Sequence, residues 1–330
     1  MLWLAARWHK ALKGKDRPKI FAATIDHGLR KEARQEARAV AKLAKTLRVP
    51  HRILKWTGAK PKSGIQENAR AARYRLLAAE AKRVGATHLA TAHTLDDQAE
   101  TVLIRMSRGS GITGLGAIAR NSRLDGLALI RPLLEISKAR LVATVKTAKV
   151  TYADDPSNLD PKFTRVRLRG LMPALAQEGL DARRLAILAR RLRRADAAIE
   201  AAADRATAEL ATEVESPPSR SFDAAQFARL PAEIALRLAA RAITKFGTEG
   251  PVELGKLEAL LHAARPSISG AATGRFRRSL AGALFDVADG KVLITAAPAR
   301  RKPSQSAARK GQGKSLTTAG RLSARRAKAR

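Results

Sequence analysis

Short apolar runs alternate with stretches free of Gly and Pro through the first 150 residues, and that alternation restricts the fold more than any other feature. Residues 19–26 form an apolar run that ends in the polar turn His27-Gly28. Residues 32–48 follow, with Ala33, Ala37, Val40, Ala44 and Leu47 at helical spacing. The strand pattern returns at 51–56 and the helical one at 66–83, with Gly85 as a stop signal. A third pair spans 87–92 and 96–107. A fourth strand is expected at 127–134, and Ser137 offers an N-cap for a helix to about Lys149. Strands and helices in this order predict a parallel sheet between helices. Right-handed crossovers would make it doubly wound.

The pattern changes after Tyr152. Residues 163–177 and 182–214 read as long helices separated by Gly179. Ser216-Pro217-Pro218-Ser219 reads as a linker. Residues 223–246 are helical again, with Pro231 starting a new helix. The segment 274–297 alternates around Asp289-Gly290 as a hairpin would. From Pro298 onward large apolar residues nearly vanish, and a disordered basic tail is expected.

Charge narrows the partners. Lys and Arg number 64 against 29 acids, a formal charge of +35. Residues 301–330 supply ten of those cations and no acid, so subtracting ten leaves +25 on the rest. A body this basic repels itself unless a polyanion is near, which points to nucleic acid. The complete lack of cysteine excludes disulfide scaffolds, cysteine metal sites, thiol nucleophiles and persulfide relays. No uncharged run approaches the ~20 apolar residues of a membrane helix, and the apolar start Met1–Ala6 is too short for a signal peptide. An intracellular protein is expected.

Ligands of a parallel sheet sit beyond the C-terminal strand ends. Two polar clusters fall there: Asp26-His27-Gly28-Leu29-Arg30, and His93 through Thr101. In the second, Asp96, Asp97 and Glu100 share roughly one helix face beside His93. Such a group could hold Mg²⁺ or act as general base; a plain acid-rich helix start, favoured by the helix dipole, is the competing account. Two arginine-rich stretches suit phosphates, one with Arg70 and Arg73, the other with Arg165, Arg167 and Arg169 after the turn 154–158. Six arginines between Arg183 and Arg194 flank the apolar positions Leu185, Leu188 and Leu192, giving an amphipathic helix with a basic face. Gly109, Gly111 and Gly114 match G-x-G-x-x-G, but a helix precedes them rather than a strand, so the dinucleotide reading is rejected. No Walker A sequence occurs.

Six pieces in order make the chain recognisable: Ile25–Arg30, the Glu67-Asn68-Ala69-Arg70 to Tyr74 helix, His93-x-x-Asp96-Asp97-Gln98-x-Glu100-Thr101, Arg108–Gly111, Arg131-Pro132-Leu133 and Asp154–Asn158. Together they resemble the tRNA(Ile)-lysidine synthetase family over roughly residues 1–175. The resemblance implies an α/β fold of the adenine-nucleotide α-hydrolase type, a Rossmann-like parallel sheet between helices, followed by a mainly helical region with a small hairpin. It divides the chain into a catalytic domain (1–175), a basic linker helix (176–215), a tRNA-binding region (220–297) and the tail (298–330). It implies adenylation by ATP of the wobble cytidine C2 oxygen in an isoleucine tRNA, then attack by the amine of L-lysine. The amine nucleophile agrees with the absence of cysteine, which related tRNA thiolases use to deliver sulfur.

Residue roles follow from the matched motifs. His93, Asp96, Asp97 and Glu100 would form the reaction centre, with Asp96 and Asp97 on Mg²⁺. Asp26, His27 and Arg131 would line the nucleotide pocket, and Asp155 and Asn158 would face lysine or the target base. Arg70, Arg73, Arg165, Arg167 and Arg169 would contact nucleotide or tRNA phosphates. The family implies a cytoplasmic enzyme, no membrane, and room for a homodimer. One departure stands out: the family's Ser-Gly-Gly-x-Asp-Ser pyrophosphate loop occurs nowhere in the chain. The expectation is a fold truncated at its N-terminus, with the first strand and loop encoded upstream of Met1, so that the chain as it stands binds ATP poorly and is inactive. The alternatives are another ATP-dependent tRNA-modifying enzyme of this fold and a catalytically dead RNA-binding relative. The genomic sequence just upstream of Met1 discriminates between them.

Overall fold

The computed structural model describes residues 1–298 apart from 15–16, 29–30, 59, 62 and 154–159, and excludes the side chains of Lys31 and Gln66. Asp155, Asn158, Arg30 and the tail residues 299–330 therefore lie outside the described residues. The chain divides into two compact units, Met1–Ala206 and Thr207–Arg330. Among the described residues, no helix is long and apolar enough to cross a membrane.

The first unit runs α1 (Leu2–Ala11), β1 (Ala22–Asp26), α2 (Lys31–Thr46), β2 (His51–Lys55), α3 (Ile65–Arg83), β3 (His88–Ala90), α4 (Leu95–Met106), α5 (Ile112–Leu115), β4 (Asn121–Leu124), β5 (Leu127–Ile130), α6 (Lys138–Thr147), α7 (Thr164–Gln177) and most of α8 (Ala182–Leu210). β1 and β2 pair in parallel, Ala22 opposite His51 through Asp26 opposite Lys55. β3 and β5 also pair in parallel. The parallel crossovers expected from the alternation are therefore present. Instead of one continuous sheet, however, the strands form a two-stranded sheet and a three-stranded one, and α3 packs against both β1 and β3. The third strand of the second sheet, β4, runs antiparallel to β5 and was not expected. Its turn is Asp125-Gly126, with φ of 47° and 84°. Both central residues take positive φ, as a tight two-residue hairpin requires.

The core of this unit is built from small residues. Ala37 and Ala44 on α2, and Ala72, Ala78 and Ala81 on α3, are buried at helical spacing. Ala99 and Val102 on α4 meet Leu185 and Ala189 on α8, with Leu103, Ala117, Met172 and Ala182 packed around them. Small side chains let helices approach closely, so this core needs few aromatics.

The second unit holds a five-stranded antiparallel sheet in the order β6-β7-β10-β9-β8, with three helices. Its elements are β6 (Thr212–Glu215), β7 (Pro218–Asp223), α9 (Ala224–Ala228), α10 (Ala232–Phe246), α11 (Leu254–Ile268), β8 (Phe276–Leu280), β9 (Ala283–Ala288) and β10 (Lys291–Ala296). Three local readings are corrected here. The helix expected over 182–214 ends at Leu210, and Thr212–Glu215 is strand β6. The stretch 216–219 is the turn and start of the β6–β7 hairpin rather than a linker. The segment 274–297 contains three strands, and β10 pairs with both β9 and β7. The pairing of Lys291 with Asp223 crosses three helices and two strands in sequence, beyond the reach of any local pattern. Pro231 does precede a new helix, as its N-cap.

Candidate active site

The polar residues beyond β1, β3 and β5 build the site, at the strand ends where open parallel sheets bind ligands. After β1, the buried Asp26 accepts a hydrogen bond from the Gly28 amide at 2.9 Å, which fixes the turn. His27 follows. Its ring meets Trp56 edge-on at 6.2 Å, and its Nε2 lies 3.5 Å from Arg73 Nη2. Lys60 sits over the Trp56 ring at 3.8 Å. Burial, then the Arg73 and Lys60 charges, push the His27 pKa below its ordinary 6.5, against a smaller opposing effect of Asp26. His27 Nδ1 is buried with no hydrogen-bond partner among the described residues.

After β3, Thr94 starts α4 with a capping box. Its hydroxyl accepts from the Asp97 amide at 3.4 Å, while Asp97 Oδ2 accepts from the Thr94 amide at 2.8 Å and the hydroxyl at 2.9 Å. Asp97 is thus the reciprocal cap residue. Asp96 turns elsewhere, its Oδ2 accepting from the Lys138 amide at the start of α6, 2.7 Å away. Glu100 is buried at 2% exposure and accepts from Arg169 Nε on α7 at 2.7 Å. Arg165 Nε lies 3.4 Å from Glu100 Oε2, and Arg165 Nη1 3.9 Å from Asp97 Oδ1. Glu100 Oε2 itself accepts no hydrogen bond among the described residues.

His93 sits between these groups. Its Nδ1 hydrogen-bonds Thr91 Oγ1 at 2.9 Å. Burial lowers its pKa most; Asp97 opposes this, and Arg131, Arg70 and Arg165 add to it. Three guanidinium charges and one carboxylate therefore act on a single imidazole, which is neutral at neutral pH. Arg131, at the end of β5, is buried. Its Nη1 donates to the Ala119 carbonyl at 2.6 Å and to Ser122 Oγ at 3.0 Å, while its Nε has no partner among the described residues. Arg70 stands over the Tyr74 ring at 5.1 Å. Arg167 is spent on its own turn, donating to the carbonyls of Pro161 and Lys162.

The three carboxylates do not converge as their helix positions suggested, because each has a different neighbour to satisfy. Among the described residues no group of three His, Cys, Asp or Glu side chains could enclose a metal ion. Sequence reasoning also missed a scaffold behind the site. Gln98 grips Ile118 through both its amide atoms, at 3.0 and 2.8 Å. Arg105 donates to the carbonyls of Gly114 and Ala117, and Arg193 to those of Gly116 and Ile118. At Gly114 a Cβ would lie 2.7 Å from Ser110 Cβ, so this glycine serves close packing rather than a dinucleotide. The cap residue itself is Thr94 rather than either aspartate, and its Thr94-x-x-Asp97 spacing is a near variant of the Ser/Thr-x-x-Glu/Gln signature.

The PP-loop domain family matches residues 1–175, the stretch that carries the parallel crossovers and these strand-end polar groups. A tRNA(Ile)-lysidine synthase of Bradyrhizobium sp. (strain BTAi1) is 54% identical over 315 residues, covering 92% of this chain and 87% of that protein. One from Rhodopseudomonas palustris is 52% identical, covering 91% and 88%. The chain belongs to the tRNA(Ile)-lysidine synthase family. Among solved structures, the U34-tRNA thiolase NcsA from Methanococcus maripaludis overlays with a TM-score of 0.49 at 15% identity, covering 58% of this chain and 66% of that one.

Proposed function

We propose that the protein uses ATP and L-lysine to convert the wobble cytidine of an isoleucine tRNA to lysidine. The cytidine C2 oxygen attacks the α-phosphorus of ATP and pyrophosphate leaves. The lysine amine then attacks C2, loses a proton, and AMP departs with the former C2 oxygen. The observation that carries this reading is the strand-end group in which Arg165 lies between Asp97 and Glu100 and His93 is held by Thr91, in a chain 54% identical to a named lysidine synthase.

The residues divide the work by what surrounds them. With Nδ1–H donating to Thr91, His93 Nε2 carries a lone pair able to take the proton of the attacking amine. Arg165 and Arg70 stabilise negative charge as phosphate bonds break. Glu100 is a positioning residue: its carboxylate is occupied by Arg165 and Arg169, so it aims them rather than exchanging protons. Asp26, His27 and Trp56 border the nucleotide, and the unpartnered His27 Nδ1 and Arg131 Nε are polar atoms a ligand would satisfy. Mg²⁺ characteristically takes one or two carboxylates plus phosphate oxygens. Asp96 or Asp97 would supply such a carboxylate, phosphate oxygens would complete the shell, and the ion would neutralise phosphate charge. The reading places the protein with its tRNA in the cytoplasm.

Radiolabelled lysine incorporation into isoleucine tRNA tests the proposal, using the protein as its own cells make it; the 330 residues alone, which hold no Ser-Gly-Gly-x-Asp-Ser loop, are expected to incorporate none. One lysine per tRNA is expected, with equal amounts of AMP and pyrophosphate. Lysine left unincorporated while ATP and tRNA are bound would overturn it.

A further inference from the structure

The structure sorts the six arginines at the start of α8 into two kinds. Arg193 turns inward and donates to two loop carbonyls, Ile118 at 2.7 Å among them. Arg184 folds back on Gly179 O at 2.7 Å, while its amide is capped by Asp181. Arg183, Arg190, Arg191 and Arg194 remain exposed, and their side chains make no ion pair or hydrogen bond with any described residue. Arg183 lies seven residues before Arg190 and eleven before Arg194. At 3.6 residues per turn those spacings return to within about 20° of one side, and they span roughly 16 Å of helix. Arg191 flanks this stripe.

Resting on the reading above, we propose that Arg183, Arg190 and Arg194, with Arg191 beside them, are a docking surface for the phosphate backbone of the substrate tRNA. Like charges at i and i+4 destabilise a helix, and Arg190 and Arg194 stand in that relation with no acid beside them. Other arginine clusters in the chain are offset: Arg165 and Arg169 by Glu100, Arg275 and Arg277 by Asp286, Arg52 and Arg83 by Glu80. Only a polyanion supplies several negative charges along such a length. The stripe is also firmly mounted. The opposite face of α8 buries Leu185 and Ala189 against Ala99 and Val102 of α4, and Asp196 accepts from Thr113 at 2.8 Å. Phosphates held on the outer face are therefore fixed relative to the helix that carries Asp96, Asp97 and Glu100.

The test compares full-length protein with the Arg183→Gln, Arg190→Gln, Arg194→Gln triple variant, binding isoleucine tRNA transcript over a salt series. Each phosphate contact contributes about −0.7 to −0.9 to the slope of log affinity against log salt. The triple variant should flatten that slope by about 2 to 3 and weaken binding about 100-fold near 0.1 M salt. The matching Arg→Lys triple variant should keep the slope, because charge is what counts. Should the Gln triple variant unfold early, Arg190→Gln alone still reads a slope change of about 0.7 to 0.9. An unaltered slope in a folded Gln variant overturns the proposal, as does a slope abolished by deleting residues 301–330 alone. Failure of the unaltered protein to make lysidine would instead sink the proposed reaction, leaving the salt measurement intact.

Discussion

Two buried acids in this molecule solve the same problem differently. Glu100 in the first unit and Asp286 in the second are 2% and 4% exposed, and each faces two arginines from a neighbouring segment. Asp286 is saturated: Arg275 donates to both of its oxygens, and Arg277 Nε lies 3.8 Å away. That fork-on-carboxylate geometry stabilises the charge fully and leaves the site nothing to do but hold the sheet. Glu100 is half saturated. Arg169 meets one oxygen, the other accepts no hydrogen bond, and Arg165 is shared with Asp97 beside His93. An arginine divided between two acids can turn toward a third anion at small cost. The difference separates a structural clamp from one arranged for a ligand.

The largest effect should come from breaking the two clamps in parallel. Glu100→Gln is expected to reduce kcat/KM for lysidine formation by about 100-fold or more, because misplaced groups lose orientation steeply. Asp286→Asn should leave the activity of folded protein unchanged. Both should lose stability to a similar degree. Removing one partner of a fully buried pair costs about 3–5 kcal/mol. Here the arginines are 39–57% exposed, so about 1–2 kcal/mol is expected for each. Rates over a range of subsaturating substrate concentrations and thermal melting, measured on both variants, check this. Equal activity in the two would erase the distinction.

Acid should separate the regions next. The folded pKa of His93 lies below 6.5, chiefly through burial. The unfolded chain then binds the proton more readily, so this histidine's contribution is present above pH 6.5 and is lost as pH falls through the folded value. Asp286 is held below 3.8 by its hydrogen bond to Arg275, and its contribution fades only as pH drops through that lower range. The rate of lysidine formation should therefore decline on the acid side of 6.5 while the second unit stays folded. A pH–rate profile compared with melting curves tests the order, and simultaneous loss would contradict it.

The same contrast explains what could be read in advance. The β1–α2–β2 and β3–α4 repeats are local, so residue spacing revealed them, and with them the strand ends that carry Asp26 and His93. β10 could not be placed, since its partner β7 precedes it by three helices and two strands. Within the site, residue types were legible but directions were not. Asp96, Asp97 and Glu100 lie within five residues, yet their neighbours, the Lys138 amide, Thr94 and Arg169, come from three different places in the chain. Arg193 looked like its exposed neighbours until loop carbonyls claimed it.

The smallest expected difference concerns helix starts. Thr94 caps α4, and Asp223 caps α9 by accepting from the Gln226 amide at 2.9 Å. Loss of either cap should cost about 1 kcal/mol, so Thr94→Val and Asp223→Ala should melt earlier by similar amounts. Thr94 has a second role, because its amide and hydroxyl both hold Asp97 Oδ2. Without the hydroxyl, Asp97 Oδ2 keeps only the backbone amide, and its carboxylate is held less firmly against Arg165, which it faces at 3.9 Å. Thr94→Val should therefore also slow lysidine formation, whereas Asp223→Ala should not. Thr94→Ser retains the hydroxyl and should restore both stability and rate. A Ser variant that melts normally yet stays slow would show that the Thr94 methyl, rather than the cap, sets the geometry at His93.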